Sequence, residues 1–300
     1  MKLFKKIFLA SFIVFSIFSI GVFTYLKNTL DEIQNKDIIT YKNEDIVTNE
    51  NNGDNDTVNI LIAGVAKYSL ADTIILCNFN PNNKSLNFLS IPRDTFYHRP
   101  GFDESTLKKI NASHAVKGNS SVKSQSLISS VSDMLDVNVD HFIKMDFEGV
   151  EKVINVLGGV EIDIEKDMYY FDPKDDPPLL IDFKKGTYKL SGEDSLKYLR
   201  YRDKITGDLG RVERQQKFIK SLIAQSISIK VFNILDVAKE HIEITMETPK
   251  IVSYLTQLYK IDSENINFTT LPGEPKTIDG ISYFVYNKLE TEEIISSTYK

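Results

Sequence analysis

Twenty consecutive residues, Ile7 to Leu26 (IFLASFIVFSIFSIGVFTYL), carry no charge. As a helix this run reaches about 30 Å, the thickness of a bilayer's hydrocarbon core. Lys2, Lys5 and Lys6 precede it, so the positive-inside rule puts residues 1–6 in the cytoplasm and everything beyond Lys27 outside. A cleavable signal peptide is the competing reading, but the run is longer than a usual h-region and no small-x-small site closes it. The expectation is a single-pass cell-membrane protein with a cytoplasmic N-terminus. A transmembrane anchor spans 7–26, a polar stalk 27–56, and one extracytoplasmic domain 57–300.

That domain must stabilise itself. The single cysteine, Cys77, cannot form an internal disulfide, and within TIILCNF it reads as a small core residue. With 42% hydrophobic residues in 300, the chain can bury a full core. The net charge of -6 is opposite to that of a nucleic-acid binder. The histidines (His98, His114, His141, His241) lack zinc-ligand spacing, and neither a nucleophile elbow nor a P-loop is present.

Strands are expected at 58–65, 72–80 and 85–95, the last two joined by the turn Pro81-Asn82-Asn83-Lys84. Helical spacing marks 121–136 and 146–157, the latter closed by Gly158-Gly159; their apolar faces are read as core before lipid channel. VEIDI (160–164) alternates as a strand, YYFDPKDDPPLL (169–180) reads as a loop, and SGED (191–194) opens a short helix to about Leu199. A helix from Arg211 to about Ile227 and late strands at INFTTLPG and SYFV complete an α/β domain, a mixed β-sheet covered by helices.

Against the acidic background, LRYRDKITGDLGRVERQQ (199–216) concentrates Arg200, Arg202, Arg211 and Arg214. If 198–202 is extended, Arg200 and Arg202 share a side. If 211 onward is helical, Arg211 and Gln215 share a face. Asp208 is a plausible N-cap. Guanidinium forks gathered at a helix N-terminus suit phosphate. Asp72 lies at a strand edge, Arg93 and Asp94 end a strand, and Lys109 follows a loop.

Taken together, ADTIIL, LSIPRD, KINASHA, GGVEIDI, LSGEDSLKYLRYRD and GDLGRVERQQ resemble the LytR-CpsA-Psr family of cell-wall ligases from about Val58 to DGISY near 280. The resemblance implies a phosphotransferase that moves a glycopolymer from an undecaprenyl-pyrophosphate carrier to peptidoglycan, releasing undecaprenyl phosphate. It further implies that Arg93, Lys109, Arg200, Arg202, Arg211 and Gln215 hold the pyrophosphate, with the arginines catalytic. Asp72 would contact Mg²⁺ or Mn²⁺, and Asp94, Asp208 and Arg214 would be neighbours. The chain departs from the family pattern at Ala66, where an aspartate is usual, and at Leu70, where an arginine is usual. Those departures keep open a polyprenyl-pyrophosphate-binding protein without turnover, and the same site would permit a lipid pyrophosphate hydrolase if the acceptor were absent.

Overall fold

The structure, a computed structural model, describes residues 57–65, 70–175, 178–203, 206–226, 240–258 and 261–300, with Thr24, Lys27, Asn28 and Asp31 in helical conformation. The anchor expected at 7–26 and the stalk at 27–56 fall almost wholly outside the described residues, as does Ala66. Among the described residues no helix is long and apolar enough to cross a membrane.

Three strands, β1 (Val58–Val65), β2 (Ala71–Asn80) and β3 (Ser85–Ser90), form an antiparallel meander. At the β2–β3 turn Lys84 takes a φ of 50°, and Asn80 Oδ1 accepts from the Asn83 N–H at 2.9 Å. The third strand stops at Ser90 because Pro92 cannot donate to a ladder. β4 (His141–Asp146) runs parallel to β1, β9 (Ile242–Ile244) antiparallel to β4, and β10 (Ile266–Thr270) parallel to β3. The result is a mixed six-stranded sheet in the order β10-β3-β2-β1-β4-β9. The carboxyl ends of β1, β3, β4 and β10 lie along one rim, together with the start of β2.

One sheet face is covered by α1 (Ser120–Leu135) and α6 (Lys288–Thr298). Leu127 and Val131 meet Leu61, Leu76 and Leu89 there, all fully buried. The opposite face carries Ile75, Cys77, Phe79 and Phe88, which pack against α4 (Gly207–Ser226) and α5 (Thr248–Leu258). Burial pushes the Cys77 thiol up to about 12. Beside the sheet, α2 (Phe147–Leu157) and α3 (Gly192–Arg200) enclose a second core with two small ribbons. One pairs β5 (Val160–Ile164) with β8 (Gly186–Leu190), the other β6 (Met168–Asp172) with β7 (Leu179–Phe183). A hairpin of β11 (Gly273–Ile278) and β12 (Ile281–Tyr286) leads into α6.

Local sequence sets the boundaries. Asp146 caps α2 by accepting from the Gly149 N–H, and Gly158 (φ 86°) ends it in the left-handed region. Ser191 caps α3 by accepting from the Asp194 N–H at 3.2 Å. Glu243 on β9 accepts from Ser120 and Ser124 of α1, each at 2.8 Å, and pairs with Lys144 of β4 at 2.5 Å. That network ties the first turn of α1 to the sheet edge.

One sequence expectation changes and another holds. Residues 169–180 are not a loop throughout: the Pro- and Asp-rich centre turns, while its flanks pair as β6 and β7. The helices at 121–136 and 147–157 pack as core, as their spacing suggests: Leu127, Val131 and Ile154 are buried.

Candidate functional site

Register creates the site. Gly64 pairs with Thr73 but Val65 pairs with Ala71, so Asp72 is the additional residue of a β-bulge at the sheet rim. Bulges re-aim side chains, and this carboxylate meets guanidinium groups from two other segments. Arg93 Nη1 donates to Asp72 Oδ1, and Arg211 Nη2 donates to the Asp72 carbonyl at 3.1 Å.

Arg93 is held by its own turn. The Thr95 N–H donates to Pro92 O at 2.9 Å, the Asn111 N–H to Arg93 O at 3.2 Å, and the Phe284 N–H to Asp94 O at 2.9 Å. Lys109 Nζ donates to Asp94 Oδ1 at 2.9 Å, while Asp94 Oδ2 lies 3.9 Å from Arg93 Nε.

The second contribution is the start of α4, which begins at Gly207 (φ 54°), four residues before the sequence-expected Arg211. Asp208 therefore lies within the first helical turn instead of at the N-cap, where a carboxylate still complements the helix dipole. It is a hub: Arg211 Nη2, Arg93 Nε and Arg202 Nε lie 2.8, 3.5 and 4.0 Å from Asp208 Oδ1. These approaches lack hydrogen-bond alignment. Both Asp208 oxygens, Arg93 Nε and Arg211 Nε are buried without a hydrogen bond.

The arginines are costly where they stand. Burial, then the neighbouring Arg93 and Arg202 charges, opposes the protonated form of Arg211 and pushes it down to about 10, although Asp208 supports it. Burial followed by the Arg93 charge lowers Arg202 as well. Arg93, Lys109, Arg202 and Arg211 stand against Asp72, Asp94 and Asp208, a local excess of one positive charge with two buried donors, Arg93 Nε and Arg211 Nε, unmet. Such a cluster favours an anion with many acceptor oxygens.

Arg200 and Arg202 do not share a side, because α3 runs helical through Arg200 and only the following residues are extended. Arg200 Nη2 pairs with Asp175 Oδ2 at 2.6 Å, and its guanidinium sits 6.0 Å from the Phe147 ring centre. Arg214 Nη2 donates to Tyr201 O, with its guanidinium 5.0 Å from the Tyr201 ring centre. Arg214 thus positions the segment that carries Arg202. Gln215 Nε2 donates to Thr73 Oγ1 at 3.0 Å. Thr73 and Gln216, which donates to Ser90 Oγ and Thr270 Oγ1 at 3.0 Å, were not singled out from sequence. The Gln-Gln doublet one turn beyond Arg211 was the available signal.

One face of α4 then changes character. Arg211, Gln215, Ile219 and Ile223 recur every four residues, and the two isoleucines pack half-buried beside Ile60, Ile62 and Phe268 on the sheet. A charged head site thus passes into an apolar surface about 18 Å along the helix.

The donor set also bears on a metal. Among the described residues no group of three or more His, Cys, Asp and Glu could hold one. Asp72 and Asp208 supply hard oxygens, and both Asp208 oxygens lack hydrogen bonds. They fit Mg²⁺, which commonly takes one or two protein carboxylates and completes its shell with phosphate and water.

A model of the LytR_cpsA_psr family matches residues 20–300. The polyisoprenyl-teichoic acid–peptidoglycan teichoic acid transferase TagV of Bacillus subtilis is 31% identical over 228 residues, 71% of this chain and 56% of that protein. The chain therefore spans little more than half of that relative. The TagU transferase of Oceanobacillus iheyensis is 28% identical over 255 residues, 80% of this chain and 75% of that protein. The crystal structure of B. subtilis TagV superposes with a TM-score of 0.68 at 26% identity, covering 82% of this chain and 96% of that one.

Proposed function

The chain belongs to the LytR-CpsA-Psr family, and from that premise we propose that it is a membrane-anchored phosphotransferase. It moves a glycopolymer from an undecaprenyl-pyrophosphate carrier to peptidoglycan and releases undecaprenyl phosphate. One observation carries the reading: Arg93, Arg202 and Arg211, from three separate segments, converge on Asp72 and Asp208 with buried donors unmet.

In this reading the diphosphate lies across the guanidinium forks, and the polyprenyl chain follows the Ile219–Ile223 stripe over the sheet. An acceptor hydroxyl attacks the phosphorus bearing the glycopolymer, and its proton passes to water. The bond to the bridging oxygen breaks, and that oxygen leaves with the prenyl phosphate. Charge spreads over nonbridging oxygens as this happens, so catalysis is mostly positioning and electrostatic stabilisation. Arg93, Arg202 and Arg211 hold those oxygens. Lys109 and Asp94 fix the Arg93 turn, and Gln215 fixes the helix against Thr73. Arg200 adds a further fork if substrate displaces Asp175. Asp72 and Asp208 would hold magnesium, whose contribution when bound is to neutralise charge on the leaving phosphate.

The test is a transfer assay. Full-length protein in detergent receives Mg²⁺, a short-chain prenyl-pyrophosphate saccharide and peptidoglycan fragments. A phosphodiester-linked product is expected. Tight binding without product would support a holding protein, and release of saccharide phosphate regardless of acceptor would support a hydrolase.

A further inference from the structure

Six large apolar residues are exposed among the described residues, and four of them (Tyr169, Tyr170, Phe171 and Leu180) lie on the β6–β7 hairpin. Their register separates two faces. Met168, Phe183 and Ile181 point into the second core. Tyr169 pairs with Asp182 and Phe171 with Leu180, so Tyr169, Asp182, Phe171 and Leu180 share the outward face, whereas Tyr170 pairs with Ile181 on the inner one. Tyr169 is 68% exposed and Phe171 52% exposed, two residues and so roughly 7 Å apart.

The hairpin's turn, rather than its outward face, is tied to the segment that leads into the arginine cluster. Asp175, in the hairpin's turn, pairs with Arg200, and Arg202 two residues on approaches Asp208. Residues 168–183 contain four aspartates and one lysine. That charge repels anionic lipid headgroups and any phosphate-rich polymer. An outward aspartate directly opposite Tyr169 is also costly to press into a bilayer interface. Flat rings beside a carboxylate suit an uncharged polyhydroxylated ligand, with ring faces on the rings and hydroxyls donating to the acid.

We propose that the outward face of β6–β7 is a platform for the glycan backbone of the acceptor, seated on Tyr169 and Phe171 with Asp182 accepting from sugar hydroxyls. The proposal rests on the transferase reading, and it assigns the acceptor a place apart from the donor's diphosphate.

Sedimentation of full-length protein with peptidoglycan sacculi stripped of teichoic acid tests it. The double variant Tyr169→Ala/Phe171→Ala should bind sacculi about tenfold more weakly. Leu289→Ala, an exposed apolar control elsewhere, should bind as wild type, and all three should bind prenyl pyrophosphate equally. Undiminished sacculus binding by the double variant would overturn the platform. So would conversion of a wild-type dimer to a monomer by the same substitutions, which would mark a contact between copies. A fluorophore at Leu180→Cys quenched by lipid-borne quencher in proteoliposomes would likewise overturn it in favour of a membrane contact. If sacculus binding depends on the face but the wild type transfers nothing, the transferase reading falls and the platform stands.

Discussion

Arg211 has a side chain only 5% exposed, facing two carboxylates and two other guanidinium groups. Removing it relieves cation–cation repulsion, and Asp208 keeps Arg93 and Arg202 within 4.0 Å. We therefore expect Arg211→Ala to lose about 10²–10³ in transfer rate while costing less than about 2 kcal/mol in stability; kinetics and denaturant titration on one preparation separate the two. A variant of unchanged activity would remove Arg211 from the mechanism. The sequence exposed Arg202 and Arg211 as a cluster because they sit close along the chain. It could not reveal how Asp72 is aimed, since a bulge exists only once β1 and β2 have paired. Nor could it separate Arg200 from Arg202: the two are neighbours in sequence, and the helix ending between them sends one to Asp175.

At the level of elements, strands with strong apolar runs and the Gly158-Gly159 stop were legible, because burial and positive φ leave local signatures. The β6–β7 ribbon was hidden by the proline-rich turn at its centre, whose composition outweighs the short flanks. The contact of α2 with α3 was equally invisible. A Cβ built on Gly192 would collide with the Glu151 carbonyl. We expect Gly192→Ala to cost about 1–3 kcal/mol by forcing the helices apart, visible as a lower melting temperature. At the other edge, Glu243 pays for its burial, yet hydrogen bonds from Lys144, Ser120 and Ser124 hold its carboxyl below the ordinary carboxylate value. A depressed folded-state pKa contributes stability above the unfolded value near 4.5, lost as pH falls through the folded one. Glu243→Gln should therefore cost about 2 kcal/mol at pH 7, the gap to wild type narrowing in acid. A gap independent of pH would exclude ionisation as its source.

Across the whole molecule, charge and apolar surface are divided along α4: guanidinium groups at its N-terminal end, isoleucines beyond. Inorganic pyrophosphate with magnesium should bind only the folded chain. At a hundredfold excess over Kd this is worth about 2.7 kcal/mol, or a rise in melting temperature of roughly 5–10 °C. The shift should shrink with salt, as surface-accessible electrostatics do; its absence at low ionic strength would count against an anion site. The sulfur at position 77, the only one of its kind in the chain, lies beneath the sheet as an inert thiol. Any thiol introduced at the surface would then be the sole reactive one, so probes and cross-linkers can be placed one site at a time against an otherwise silent background.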